Sequence, residues 1–170
     1  MSDFLMSCSC RGRRPKHVAS SATHSRPHLI ADLLRSRDVA RFLVAPTGFG
    51  KSTVAAEYAQ VVFSFRQTFW VNCESPCFLR DLDAGIIASR VAEIGGAGSL
   101  VVFDDLPRMD ASRVEVFSEV VDELLAAGSE VLVTCTPTCD AYSDLHRDRV
   151  KLSARRFLLT DDEMKHTVRA

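Results

Sequence analysis

The sequence has almost no surplus charge: 21 Lys and Arg face 22 Asp and Glu, a net of −1 over 170 residues. So even a balance supplies no molecule-wide field for gathering nucleic acid or an anionic membrane. Long hydrophobic runs are missing too, and nothing approaches the ~20 apolar residues that cross a bilayer. The N-terminus, Met1-Ser2-Asp3, lacks the positive charge that opens a secretory signal, and its apolar patch stops at Met6. With no export signal, the cytoplasm is the expected compartment. The six cysteines, in the close pairs Cys8/Cys10, Cys73/Cys77 and Cys135/Cys139, then read as reduced thiols. Two C-x3-C spacings fall between the C-x2-C and C-x4-C of structural zinc sites, which favours small apolar residues near strand ends over a zinc site. His146 and His166 lie in polar surroundings without ligand-spaced partners and read as surface residues. The single Trp, Trp70, lies within an apolar run and reads as core.

What remains is ordinary for one compact domain: 46% hydrophobic and 25% charged residues. Residues 1–27 carry Arg11, Arg13, Arg14, Lys16 and Arg26 among Ser and Pro, with few large apolar side chains, and read as a disordered basic leader. Such a leader could touch nucleic acid or an acidic partner; a solvated tail is the simpler account. Residues 28–170 are expected to form the folded domain.

From His28 to about Ser36, Leu29, Ile30, Leu33 and Leu34 share a helical face. Short apolar runs follow: 41–45, 68–72, 100–103, 130–134 and a weaker one at 149–152. Helical stretches fall at 51–63, 77–94 and 112–127, the last ended by Gly128. Strands apolar on both faces belong in a parallel sheet covered by helices. The expectation is therefore α/β: a three-layer αβα sandwich around a mainly parallel, five-stranded sheet. Thr160-Asp161-Asp162-Glu163 reads as a capping box opening a short last helix.

The first strand runs into Ala45-Pro46-Thr47-Gly48-Phe49-Gly50-Lys51-Ser52-Thr53 and then a helix. This matches the phosphate-binding pattern G-x4-G-K-[ST], with Ala45 replacing the first glycine. Backbone N–H groups wrapped around an anion supply the donors a triphosphate needs. Gly48 and Gly50 permit the turn and a close approach. Lys51 can reach the β- and γ-phosphates, and the Ser52 hydroxyl can ligate Mg²⁺. A third strand, Leu100 to Phe103, delivers Asp104-Asp105 to the sheet edge where ligands of open α/β sheets bind. Asp104 suits the metal and Asp105 the attacking water. Neighbours on a strand face opposite ways, so Asp105 is expected just past the strand end, before Pro107. The candidates are thus Ala45 through Thr53 for the nucleotide, Ser52 and Asp104 for Mg²⁺, and Lys51 and Asp105 for catalysis. ATP and Mg²⁺ are the expected cofactors of this P-loop NTPase pattern.

These motifs resemble the STAND class of P-loop ATPases, in particular the nucleotide-binding core of large LuxR-type bacterial transcription activators. Further points of resemblance are Ser25-Arg26-Pro27, Phe69-Trp70-Val71-Asn72, the strand Val131-Leu132-Val133-Thr134-Cys135-Thr136-Pro137, and Leu152 through Met164. The resemblance spans roughly residues 25–165 and implies a nucleotide-dependent switch in transcription regulation, acting through a partner chain or effector. The chain departs from the family at Cys135-Thr136, where Ser-Arg is usual, so a γ-phosphate-sensing arginine is missing and weak hydrolysis is expected. It also ends where the family's winged-helix region, helical repeats and DNA-binding domain would begin. Nucleic acid would then be met only indirectly, or through the leader. Three other readings stay open. A small P-loop kinase fits the length, but no arginine-rich lid segment follows the fourth strand beyond Arg147, Arg149, Arg155 and Arg156. A nucleic-acid-dependent ATPase would need a second motor domain. A degenerate, non-hydrolysing relative is the last.

Overall fold

The computed structural model describes residues 10–11, 25–35, 39–62, 68–94, 98–142 and 149–158. The sequence's capping box, its two surface histidines and most of the basic leader lie outside them. The elements in chain order are β1 (Cys10–Arg11), α1 (Pro27–Leu34), β2 (Ala40–Val44), α2 (Lys51–Val62), β3 (Thr68–Asn72), α3 (Phe78–Asp83), α4 (Ile86–Ile94), β4 (Leu100–Leu106), α5 (Ala111–Ala126), β5 (Glu130–Cys135) and β6 (Arg149–Ser153). Short 3-10 turns follow β5 at Pro137–Tyr142 and β6 at Ala154–Phe157.

The sheet order is β1-β3-β4-β5-β2-β6. The five strands β2 to β6 are mutually parallel, as the apolar runs predict, and two-residue β1 adds an antiparallel edge on β3. Side-chain alternation builds the two cores. Ala40, Phe42 and Val44 of β2 join α3, the start of α4 and α5 on one face, where Phe103 meets Phe117 edge to face at 5.0 Å. Leu43 and Ala45 join α1, α2, Trp70 and Leu152 on the other. Three layers result, and Trp70 is core. Cys73, Cys135 and Cys139 fill the first core outside any disulfide. Among the described residues no helix is long and apolar enough to cross a membrane.

Two expectations are corrected. The helix read over 77–94 is two helices, α3 and α4, broken where Gly85 turns left-handed at φ 68°. A left-handed residue ends the helical ladder, and glycine adopts it without a Cβ penalty. The third strand also continues through both aspartates to Leu106 instead of stopping before them.

Candidate functional site

The segment between β2 and α2 begins as sheet and ends as helix. Ala45 N–H still donates to Cys135 C=O (3.3 Å), continuing the β2–β5 ladder, and Ala45 is buried. Pro46, Thr47 and Gly48 are solvent-exposed, and Phe49 N–H closes a turn onto Pro46 C=O (3.4 Å). Gly48 and Gly50 have φ of 88° and 78°. A Cβ on Gly48 would meet no protein atom within 4 Å, so its requirement is the left-handed backbone. Val54 N–H then bonds Gly50 C=O (2.9 Å) and starts α2, whose free N–H groups and dipole end face the same edge.

Lys51 is only 5% exposed, and its ammonium folds back over the loop. It donates to Pro46 C=O (3.4 Å) and lies 3.8 Å from Asp105 Oδ1. Ser52 Oγ donates to Asp104 Oδ1 (2.9 Å). The loop cation, the loop hydroxyl and both carboxylates are therefore joined in one cluster, although β5 separates β2 from β4 in the sheet.

Asp105 reaches this cluster by a bulge. Phe103 pairs with Val133 and Leu106 with Cys135, so Asp104 and Asp105 together oppose Thr134 alone. Asp105 takes φ 56°, the one positive φ of a non-glycine among the described residues. The extra residue and left-handed turn bring two adjacent side chains to one site, where a regular strand would send them to opposite faces. Thr134 secures it: Asp105 N–H donates to Thr134 Oγ1 (2.8 Å), which donates to Asp104 Oδ1 (2.7 Å).

Burial is the main influence raising the Asp104 pKa, opposed by the Thr134 and Ser52 hydrogen bonds; neighbouring Asp105 raises it further and Lys51 lowers it. Hydroxyl and carboxylate oxygens are the donors a hard cation such as Mg²⁺ prefers. Among the described residues no three His, Cys, Asp or Glu side chains converge as a metal cage, so a cation here would draw further oxygens from phosphate and water.

All the candidates fall on one edge: Ala45 through Thr53 form the loop and first helical turn, and Asp104 and Asp105 face it. Two contributors carry no site signal in the sequence. Thr134 reads only as a hydroxyl ending an apolar run. Arg26 Nη1 donates to Phe49 C=O (3.3 Å) and to Phe157 C=O (2.9 Å), tying the loop to the last described turn. Its neighbourhood is held by Ser25 Oγ and Arg26 N–H on the Glu57 carboxylate and by an Arg156–Asp32 ion pair.

No protein-family model matches the chain. No curated protein matches it either. Among solved structures it is similar to a signal transduction ATPase with numerous domains (STAND) with a tetratricopeptide repeat sensor, from Pyrococcus horikoshii. The TM-score is 0.53 at 12% identity, over 88% of this chain and 25% of that one. It is also similar to C. elegans PCH-2 (TM-score 0.46, 13% identity, 75% of this chain and 41% of that one). A Rhizobiales Trip13 follows (TM-score 0.40, 18% identity, 81% and 51%). The chain thus spans a quarter to about half of the lengths of these proteins. Topology and the STAND neighbour define the fold as that of a P-loop ATPase.

Proposed function

We propose that the chain binds ATP with Mg²⁺ at the Ala45–Thr53 loop and works as a nucleotide-dependent regulatory switch of STAND/AAA-like type, with at most weak hydrolysis. The observation that carries this reading is the convergence of Lys51, Ser52, Asp104 and Asp105 beside an exposed, glycine-turned loop at a helix N-terminus. The loop N–H groups and α2 would hold the phosphates, and Lys51 would exchange Pro46 C=O and Asp105 for phosphate oxygens. Ser52 and Asp104 would hold Mg²⁺, which neutralises phosphate charge when bound. Asp105, 38% exposed, would orient a water.

Weak turnover is supported by the end of β5. The position where a γ-phosphate-sensing arginine is expected holds Thr136, after Cys135, which is buried in the core. Without that cation, charge developing in the transition state has less to stabilise it. A switch acts on something, so a protein partner or effector chain in the cytoplasm belongs to the same proposal, with transcription regulation as its output.

Calorimetric titration with ATP and with ADP, with and without Mg²⁺, tests the reading. Wild type is expected to bind both, more tightly with Mg²⁺, and Lys51→Ala to lose at least tenfold in affinity, about 1.4 kcal/mol. No binding by wild type, or unchanged binding by the variant, refutes it.

A further inference from the structure

The fully buried Thr134 touches both aspartates and lies on the strand between the loop strand and the acidic strand. Its β-branched side chain suits a strand, and a valine would fill that space as well. The hydroxyl is what differs. It accepts Asp105 N–H at 2.8 Å, a donor that the bulge has removed from the regular ladder. It also donates to Asp104 Oδ1 at 2.7 Å, the oxygen that takes the Ser52 hydroxyl. One oxygen thus fixes the left-handed backbone of Asp105 and the carboxylate orientation of Asp104.

We infer that Thr134 is a positioning residue for the cation: its hydroxyl holds Asp104 against Ser52 and the Asp105 bulge in place, and so sets how strongly Mg²⁺ tightens nucleotide binding. This rests on the Mg-nucleotide reading above. Outer-sphere groups that orient metal-binding carboxylates govern metal affinity by about 10–100-fold. Without its hydroxyl donor, Asp104 is freer to rotate off the Ser52 side, and the half-buried Asp105 N–H loses its acceptor.

ADP is the ligand for the test because it has no γ-phosphate, so a direct hydroxyl contact to that group cannot produce the result. Calorimetry compares wild type, Thr134→Val and Thr134→Ser with ADP in EDTA and in excess Mg²⁺, and thermal melts check folding. Thr134→Val is expected to keep its Mg²⁺-free ADP affinity within about twofold and to lose at least tenfold of the Mg²⁺-dependent tightening. Thr134→Ser, which keeps the hydroxyl, is expected to restore it. If Thr134→Val does not fold, Thr134→Cys, with a weak thiol donor, takes its place.

The inference is overturned if the Mg²⁺ enhancement survives without the hydroxyl, if serine fails to rescue it, or if Mg²⁺-free affinity falls equally. Those outcomes leave wild-type Mg²⁺-dependent binding intact and so spare the proposed function. A wild type whose ADP binding ignores Mg²⁺ refutes both.

Discussion

Replacing Asp105 by glycine and by alanine tests whether the site stores backbone strain. Both variants lose the carboxylate 3.8 Å from Lys51, and both keep the backbone N–H that bonds Thr134, so these effects cancel in the comparison. What differs is the cost of a Cβ at φ 56°. In a regular strand glycine is worse than alanine by about 0.5–1 kcal/mol because it loses more chain entropy. At a left-handed residue the Cβ clash costs roughly 1–2 kcal/mol and acts in the opposite direction. At the midpoints of these ranges the sum favours glycine by about 0.75 kcal/mol. Urea denaturation with matched m-values measures it, and thermal melts should separate the two variants by roughly 2 °C. The same pair of substitutions at Lys151, exposed on strand β6, is the control and is expected to favour alanine. If alanine equals or exceeds glycine at position 105, the bulge does not hold a left-handed residue, and the account of how two adjacent aspartates share one site is wrong. If glycine wins, the strain sits at the proposed nucleotide site, the kind of place where strain in proteins tends to collect.

Two more substitutions separate stability from function. Burial raises the Asp104 pKa, so the folded chain holds this proton more tightly than the unfolded one, and stability falls as pH rises from the ordinary aspartate range through the folded value. Asp104→Asn is therefore expected to melt above wild type at neutral pH, with the gap closing as pH falls below that window, while Mg²⁺ no longer tightens nucleotide binding; a neutral-pH melt at or below wild type contradicts this. Arg41 is 1% exposed, donates to Leu33 and Val39 carbonyls, pairs with Glu130 at 3.1 Å and lies 5.5 Å from the Tyr58 ring. Arg41→Met removes the cation beside Glu130 and leaves that carboxylate the Tyr58 hydroxyl; it is expected to cost about 3 kcal/mol in urea denaturation, with ADP affinity nearly unchanged because the cluster lies at the opposite end of β2 from the loop.

The same contrast shows which features the sequence made legible. Strands such as Leu100–Phe103 announce themselves because a strand covered on both faces has no polar side to show. The phosphate loop and the aspartate pair are local patterns whose chemistry depends on adjacent residues. The bulge is not local. Asp105 turns left-handed because Thr134, on another strand, accepts its N–H, and nothing near position 105 signals that partner. Strand order decides it, since β5 lies between β2 and β4 only after folding. Arg41 was hidden similarly: in an apolar run it marks a strand start, and only the fold supplies Glu130 and the Tyr58 hydroxyl that bonds it at 2.8 Å. Gly85 is local to the sequence, but the apolar pattern on either side of it is continuous enough over 77–94 to mask a single helix-breaking glycine.

The departure at Ala45 then has a physical explanation. The phosphate-loop pattern asks for glycine at its first position, and this chain has alanine there. Ala45 sits where the strand has not yet ended: its N–H pairs with Cys135 C=O, its side chain is packed in the core with Leu43, and it is not among the positive-φ residues. The left-handed turns fall later, at Gly48 and Gly50. A methyl group at position 45 therefore costs no backbone strain and adds apolar burial, whereas a Cβ at 48 or 50 would meet the penalty that Asp105 bears across the site. The loop tolerates a side chain where it is still sheet and excludes one where it turns.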